Sequence, residues 1–145
     1  MAQHDDEPLD SPVGWVAQHI RDYVSTGGAK GHVFQHWPSL LLTTRGRRTG
    51  RPRRTALIYG RSGDDYVVVG SNGGKDEHPL WYHNLLADPE VTVQVAADGF
   101  RALARTAPSE ERPRLWRTMA DLFPTYDRYQ AGTAREIPVV LLERR

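Results

Sequence analysis

Short apolar segments joined by turns rich in Gly, Pro and Asp dominate the middle of this 145-residue sequence. Six segments have the length of a strand: residues 40–44, 55–59, 66–69, 91–96, 100–106 and 137–142. Helical segments do not alternate regularly with them, which excludes a parallel α/β sheet and favours antiparallel neighbours. The pattern predicts an α+β fold in which about six mostly antiparallel strands form a small barrel or a strongly curled sheet.

About three helices are expected on the outside of this sheet. Apolar residues at spacings of three and four predict the first helix over residues 12–25. The second has Pro79 in its first turn and ends at Asp88-Pro89, and Leu80, Trp81, Asn84 and Leu85 share one of its faces. The third covers residues 109–123. A Pro-containing segment from residue 124 onward is expected to break the third helix.

Composition limits the class of protein further. The polar residues 1–11 predict a disordered tail, which leaves residues 12–145 as a single domain. Cysteine is absent, so a disulfide scaffold, a thiolate metal site and a cysteine nucleophile are excluded. The spacing of the six histidines does not fit a metal site. No apolar run approaches the roughly 20 residues of a membrane helix, and the acidic start is not a secretory signal, so a cytoplasmic location is expected.

The densest charge cluster is RGRRTGRPRR at residues 45–54, with six arginines and no acidic residue, in a chain whose net charge is only +1. The spacing of Gly46 and Gly50, and the strand that follows, exclude a P-loop and a dinucleotide fingerprint. A turn that offers guanidinium groups and backbone N–H groups favours a ligand with several anionic groups. The alternatives are a solvated loop and a nucleic-acid site, although the interleaved aromatics of the latter are missing.

A second candidate site is the sequence GSNGG at residues 70–74, between a predicted strand and a predicted helix. The residue two positions before Ser71 is Val69, so the nucleophile elbow of serine hydrolases is absent. A flat ring can lie against the amides and the hydroxyl of such a loop, and an ordinary turn is the alternative. Tyr126 and Tyr129 are candidates for lining a cavity mouth, with core packing as the alternative.

Three ordered motifs resemble the deazaflavin (F420)-dependent nitroreductase family: LLTTRGRRTG at residues 41–50, SNGG at 71–74 and HPLWYHNL at 78–85. The resemblance covers residues 27–142 and implies a split β-barrel like that of flavin-binding pyridoxine-oxidase relatives. It also implies coenzyme F420, whose phosphodiester and polyglutamate tail would supply the anions for the arginines. Family members pass a hydride from the reduced deazaflavin to quinones, nitroaromatics or activated enones, so the resemblance implies an F420-dependent oxidoreductase.

By similarity, the coenzyme-binding residues would be Arg47, Arg48, Thr49, Gly50, Arg53, Thr55, Ala56, Leu57, Ser71, Asn72, Gly73, Gly74, Leu80 and Trp81. The arginines would hold the phosphate and the tail, and the other segments the ring. The expected catalytic residues are Ser71, Tyr126 and Tyr129, which would line the acceptor pocket or bind the acceptor oxygen that gains charge.

Two positions depart from the family pattern. Arg48 stands where the family carries Lys, which keeps the anion site. Ile58 stands where nitroreductase members often carry Tyr in the acceptor cavity, which argues against reduction of nitroimidazoles.

Two other functions stay open from the sequence: an FMN-dependent split-barrel oxidoreductase and a non-catalytic F420 carrier. The expected partner is a small-molecule acceptor rather than a nucleic acid, and the chain is expected to be a monomer or a homodimer. Stable membrane insertion is not expected. Peripheral contact at the inner face of the membrane stays open, because some relatives associate with membranes.

Overall fold

A computed structural model describes residues 8–11, 14–34 and 37–145. The strands are β1 (Leu9–Asp10), β2 (Val33–Phe34), β3 (Trp37–Arg45), β4 (Pro52–Ile58), β5 (Gly60–Ser62), β6 (Asp65–Val69), β7 (Glu90–Val95), β8 (Asp98–Thr106) and β9 (Val139–Arg144). The helices are α1 (Gly14–Ser25), α2 (Leu80–Ala87), α3 (Arg112–Leu122) and α4 (Thr125–Ala131). A single 3-10 turn covers Asn72–Gly74.

The described strands form one sheet in the order β1-β4-β3-β7-β8-β9-β6-β5, with β2 beside β3. All pairs are antiparallel except β1 with β4. Strands β4 and β5 lie near opposite ends of this order, yet only Tyr59 separates them in the sequence. The Tyr59 N–H donates to the Pro38 carbonyl at 3.1 Å. At this residue the chain changes its pairing partner, since β4 pairs with β3 and β5 pairs with β6. The sheet therefore closes on itself, which confirms the α+β fold with a small, mostly antiparallel barrel.

Side chains that alternate along the strands divide the core into an inside and an outside. Within the barrel, Leu42, Val68 and Val93 are buried in one apolar cluster. Val67, the neighbour of Val68, faces outward into a second cluster under α3 and α4. Helix α1 covers a third face, where Tyr23 packs near Leu41. Helices α1, α3 and α4 thus lie outside the barrel, as expected, whereas α2 packs Tyr82 and Leu85 against the inner cluster.

The amino-terminal segment differs from the predicted disordered tail. Residues 9–10 pair in parallel with Arg53 and Arg54 of β4, and the Ser11 N–H donates to the Arg54 carbonyl at 3.0 Å. The Asp10 carboxylate is 2.6 Å from the Arg54 Nε, so a charge pair supports the short strand. The remaining residues of the predicted tail, 1–7, and the predicted helix start at 12–13 lie outside the described residues.

Two predicted connections also differ from the structure. Val95 pairs with Asp98, so the turn between β7 and β8 consists of Ala96-Ala97 and not of Asp98-Gly99. The segment from Pro124 onward breaks the third helix as expected, since α3 ends at Leu122, but it then forms a fourth helix, α4, whose aromatic side chains pack on the outer core.

Candidate coenzyme cleft

A cleft of about 780 Å³ opens between four parts of the chain. They are the turn that joins β3 to β4, the outer edge of β4, residues 70–75 (called the Ser71 segment below) and the start of α2. Twelve of the fourteen predicted binding residues line it: Arg47, Arg48, Thr49, Arg53, Thr55, Ala56, Leu57, Ser71, Asn72, Gly73, Leu80 and Trp81. Gly50 and Gly74 do not line it and instead shape the two loops. Segments far apart in the sequence therefore meet at one cleft.

The arginine-rich turn is held by backbone bonds and by one buried amide. The Gly46 N–H donates to the Arg51 carbonyl at 2.8 Å, and the Gly50 N–H donates to the Gly46 carbonyl at 2.7 Å. Gly50 has a φ of 73°, a conformation that favours glycine. The Asn84 side chain, 7% exposed on α2, accepts from the Arg47 N–H at 3.2 Å and donates to the Thr44 hydroxyl at 3.1 Å. Helix α2 thereby fixes the turn relative to the cleft.

The six arginines of the turn divide into paired and unpaired side chains. Arg45 lies 3.2 Å from Asp88, and Arg54 lies 2.6 Å from Asp10. Within the described residues, the guanidinium groups of the other four, Arg47, Arg48, Arg51 and Arg53, make no ion pair. Arg47, Arg48 and Arg53 are exposed at the cleft, whereas Arg51 is exposed away from it. The cleft therefore presents three uncompensated positive charges.

The outer edge of β4 supplies backbone groups next to these charges. Strand β1 pairs with this edge only at Arg53 and Arg54. In the part of the chain that the structure describes, no strand lies beside residues 55–57 on that side, and these residues line the cleft. An unpaired strand edge offers peptide groups to a ligand that lies along it.

Opposite this edge, the Ser71 segment and the start of α2 form the other wall. Ser71, Asn72 and Gly73 line the cleft beside Trp81, which is half-buried, and Leu80, whose side chain is 73% exposed. The sequence predicts that Leu80 shares the packing face of Leu85, but only Leu85 of the two is buried. An apolar and aromatic wall next to backbone amides suits a flat heterocycle.

Tyr126 and Tyr129, the other predicted catalytic residues, do not line the cleft. Tyr126 is 5% exposed, packs 4.9 Å from the Phe123 ring and belongs to the outer core, where burial raises the pKa of its hydroxyl. Tyr129 packs behind Gly74, where a Cβ would come within 2.9 Å of the Tyr129 ring. Tyr129 thus supports the Ser71 segment from behind, and of the three predicted catalytic residues only Ser71 reaches the cleft.

Several residues of the site are missed by sequence reasoning. Leu9, Asp10, Ser11 and Val16 line the cleft because β1 and α1 border β4. Asn84 also lines it, and its polar side chain on an otherwise apolar helix face was a usable signal. Arg135, between α4 and β9, donates to carbonyls of the Ser71 segment. An isolated arginine in a loop carries no signal of that kind.

Comparison with known proteins identifies the family. The family model of the F420H(2)-dependent quinone reductases matches residues 15–144. The chain belongs to this family. It is 41% identical, over 94% of its length and 96% of the relative's, to a protein of Mycobacterium tuberculosis (strain H37Rv) named an F420H(2)-dependent quinone reductase.

Solved structures support the same assignment. An F420-H2 dependent reductase of the type called FDR-A is 36% identical, with a TM-score of 0.68 over 73% of this chain and 94% of that one. A structure described as a domain-swapped dimer is 35% identical, with a TM-score of 0.72 over 92% of this chain and all of that one. The expected fold class, oxidoreductase activity and coenzyme F420 are thus confirmed at the level of the family.

In the described residues, no three His, Asp or Glu side chains are grouped as a metal site would require. No described helix is long and apolar enough to span a membrane.

Proposed function

We propose that this protein transfers a hydride from reduced F420, bound in the cleft, to a quinone or a similar electron-poor acceptor. The observation that carries the proposal is the composition of this cleft: at one end arginines that make no ion pair with the described residues, and at the other backbone amides with apolar side chains. F420 has its charged and uncharged parts separated in the same way, with a flat deazaflavin at one end and a phosphodiester and polyglutamate tail at the other.

The residues present fit this coenzyme. Arg47, Arg48 and Arg53 would bind the phosphate and the carboxylates, because a guanidinium group is a permanent cation with a fork of donors. The edge of residues 55–57 and the loop of Ser71, Asn72 and Gly73 would hold the ring. The bound coenzyme would supply the hydride, and the protein would supply its position.

The chain's own contribution to catalysis would be orientation and the exclusion of water. Leu57, Trp81 and Leu80 give the cleft apolar walls against which a ring and a quinone can stack. The Ser71 hydroxyl is a candidate donor to the acceptor oxygen that gains negative charge. The exposed Leu80 at the cleft favours a hydrophobic acceptor.

Titration followed by a turnover assay tests the proposal. Purified protein is expected to quench F420 fluorescence at micromolar concentrations and to carry no FMN. It is also expected to accelerate the oxidation of reduced F420 by menadione. Binding without acceleration would identify a carrier, and retained FMN with no F420 binding would identify a flavin enzyme.

The choice of acceptor is tested with the same assay. Because Ile58 replaces the tyrosine expected in nitroreductases, turnover with menadione is expected to exceed turnover with a nitroimidazole. An Ile58→Tyr variant is the matched comparison. A nitroimidazole rate in the unchanged protein equal to the menadione rate would contradict this preference.

The predicted location stays the cytoplasm. Peripheral contact of the protein with the inner face of the membrane, where hydrophobic quinones are found, is part of this prediction. The predicted assembly is a monomer or a homodimer, and the domain-swapped dimer among the structural neighbours makes the second state worth measuring by light scattering.

A further inference from the structure

The side chain of Arg135 binds the Ser71 segment with all three of its guanidinium nitrogens. Its Nε donates to the Lys75 carbonyl at 2.9 Å, its Nη1 to the Gly70 carbonyl at 3.2 Å and its Nη2 to the Ser71 carbonyl at 2.7 Å. The Nη1 also lies 3.0 Å from the Nδ1 of His78, which precedes α2. One side chain therefore holds both ends of the loop and the approach to the next helix.

Arg135 is itself fixed by its neighbours. The Gln130 side chain on α4 donates to the Arg135 carbonyl at 2.8 Å, and the Thr133 hydroxyl donates to Asp76 at 2.8 Å. No carboxylate of the described chain pairs with the Arg135 guanidinium. Its donors are thus committed to the loop carbonyls rather than to an acidic partner.

These bonds determine which way the loop amides point. The Gly70 carbonyl shares a peptide plane with the Ser71 N–H, and the Ser71 carbonyl shares one with the Asn72 N–H. Since C=O and N–H point in opposite directions across a trans peptide, both N–H groups are directed away from Arg135. Neither is hydrogen-bonded to another described residue, and Ser71 and Asn72 both line the cleft. The loop thus offers two unused amide donors.

A guanidinium group suits this task better than an ammonium group. Its planar fork satisfies several carbonyls at once, whereas an ammonium group is a compact point charge on a flexible stem. A cation bonded to the carbonyl end of a peptide also polarises that peptide, which strengthens the N–H at the other end as a donor.

We infer that Arg135 is a positioning residue of the coenzyme site: it holds the loop so that the Ser71 and Asn72 amides bind the carbonyl-bearing half of the deazaflavin ring. This inference rests on the proposed function. It assigns a role in positioning the ring-binding loop to a residue that lies about 60 positions downstream of the loop and does not line the cleft.

Ring and tail contributions can be separated by two ligands, F420 and the deazaflavin chromophore without phosphate and tail. Arg135→Lys is expected to raise the Kd of both by about tenfold and to move the visible spectrum of the bound chromophore toward that of the free one. The ionic-strength dependence of F420 binding, which reports the tail, is expected to stay unchanged. Arg105→Met is the control, since Arg105 pairs with Glu111 and Glu143 away from the loop, and both Kd values are expected to stay within twofold.

A second pair of variants tests the amides without altering Arg135. Ser71 has φ −72° and ψ −32°, which proline can adopt, so Ser71→Pro removes one N–H with little change of backbone. Ser71→Ala removes the hydroxyl and keeps the N–H. Chromophore binding is expected to be at least fivefold weaker in Ser71→Pro than in Ser71→Ala.

The outcomes distinguish this inference from the proposed function. If the unchanged protein binds neither ligand, the proposed function fails and the inference fails with it. If the unchanged protein binds both, but Arg135→Lys retains its Kd values and spectrum, or Ser71→Pro binds the chromophore as tightly as Ser71→Ala, only the inference is overturned.

Discussion

At the scale of single residues, the arginine-rich turn combines two roles that the sequence alone cannot separate. Arg45 and Arg54 are used internally, by Asp88 and Asp10, to hold the turn and the short strand β1. Arg47, Arg48 and Arg53 face the cleft without a carboxylate partner in the described chain. The distinction depends on where Asp10 and Asp88 lie in space, and neither belongs to the cluster itself.

Removing two cleft arginines is expected to weaken coenzyme binding far more than removing a neighbour that points away. Arg47→Ala with Arg48→Ala is expected to raise the F420 Kd at least tenfold at low salt, because each charged hydrogen bond contributes roughly 1.5–3 kcal/mol. Arg51→Ala, in the same turn but outside the cleft, is expected to change the Kd less than threefold. Fluorescence titration checks both, and an equal loss in the two proteins would indicate a nonspecific field effect.

The protonation of His78 is expected to make the stability of the loop depend on pH. Its Nδ1 faces the Arg135 guanidinium at 3.0 Å, so the ring must be neutral to accept a hydrogen bond. Burial lowers the His78 pKa below 6.5, and the charges of Arg135 and His83 lower it further. The unfolded chain therefore binds this proton more readily, and the stabilisation is complete above about pH 6.5 and declines as the pH falls toward the folded pKa.

Thermal unfolding between pH 8 and pH 5 measures this effect. The Tm of the unchanged protein is expected to fall more steeply than that of His78→Gln, which cannot titrate. Burial also lowers the pKa of His19. The effect of His19 on the pH dependence of the Tm is the same in both proteins, so it cancels in the comparison. Equal slopes would contradict a titrating bond between His78 and Arg135.

At the scale of secondary-structure elements, local pattern predicts most of the fold. The spacing of apolar residues locates α1 and α2, and Pro79 and Asp88-Pro89 lie close to the ends of α2. Helix α3 begins at Arg112, three residues after the start predicted at residue 109, and has no side-chain cap. Helix α4 was missed because its stability comes from Tyr126 packing on the outer core rather than from its own sequence. The two-residue strand β1 was missed because a strand this short exists only through its pairing with β4.

The charge pair between Asp10 and Arg54 is expected to hold β1 on β4. Their side chains are 28% and 22% exposed, so the pair is expected to contribute about 0.5–1 kcal/mol. In Asp10→Asn, amide hydrogen exchange of residues 9–11 is expected to be two- to fivefold faster. The freed Arg54 also lines the cleft, so F420 is expected to bind somewhat more tightly at low salt.

The control for this variant is Asp88→Asn, which removes the other carboxylate paired with the cluster. Asp88 lies at the C-terminal end of α2 and outside the cleft, so amide exchange of residues 9–11 is expected to stay unchanged. Unchanged exchange in Asp10→Asn would show that backbone pairing alone holds the strand.

At the scale of the whole molecule, the site exists because the barrel closes. Residues 47–57 and residues 71–81 adjoin one cleft although β4 and β6 are not neighbours in the sheet order. The sequence predicts the strands and, through the resemblance, the binding residues, but not the order β3-β7-β8-β9-β6. Pairing between distant strands is set by the joint packing of all side chains within the barrel, which no local pattern encodes. The contact of Arg135 with the Ser71 segment could not be predicted for the same reason.

Coenzyme binding is expected to stabilise the whole molecule in a way that reports the charge of the cleft. A ligand that binds only the folded chain adds about 2.7 kcal/mol at a concentration of 100 Kd, which for a chain of this size raises the Tm by roughly 5–10 °C. At a fixed F420 concentration, the rise is expected to shrink between 50 mM and 500 mM salt, because the cleft arginines are exposed and salt screens them. The chromophore without phosphate and tail should give a smaller rise that hardly depends on salt. Differential scanning fluorimetry compares the two ligands, and an F420 shift that is independent of salt would show that the arginines do not hold the tail.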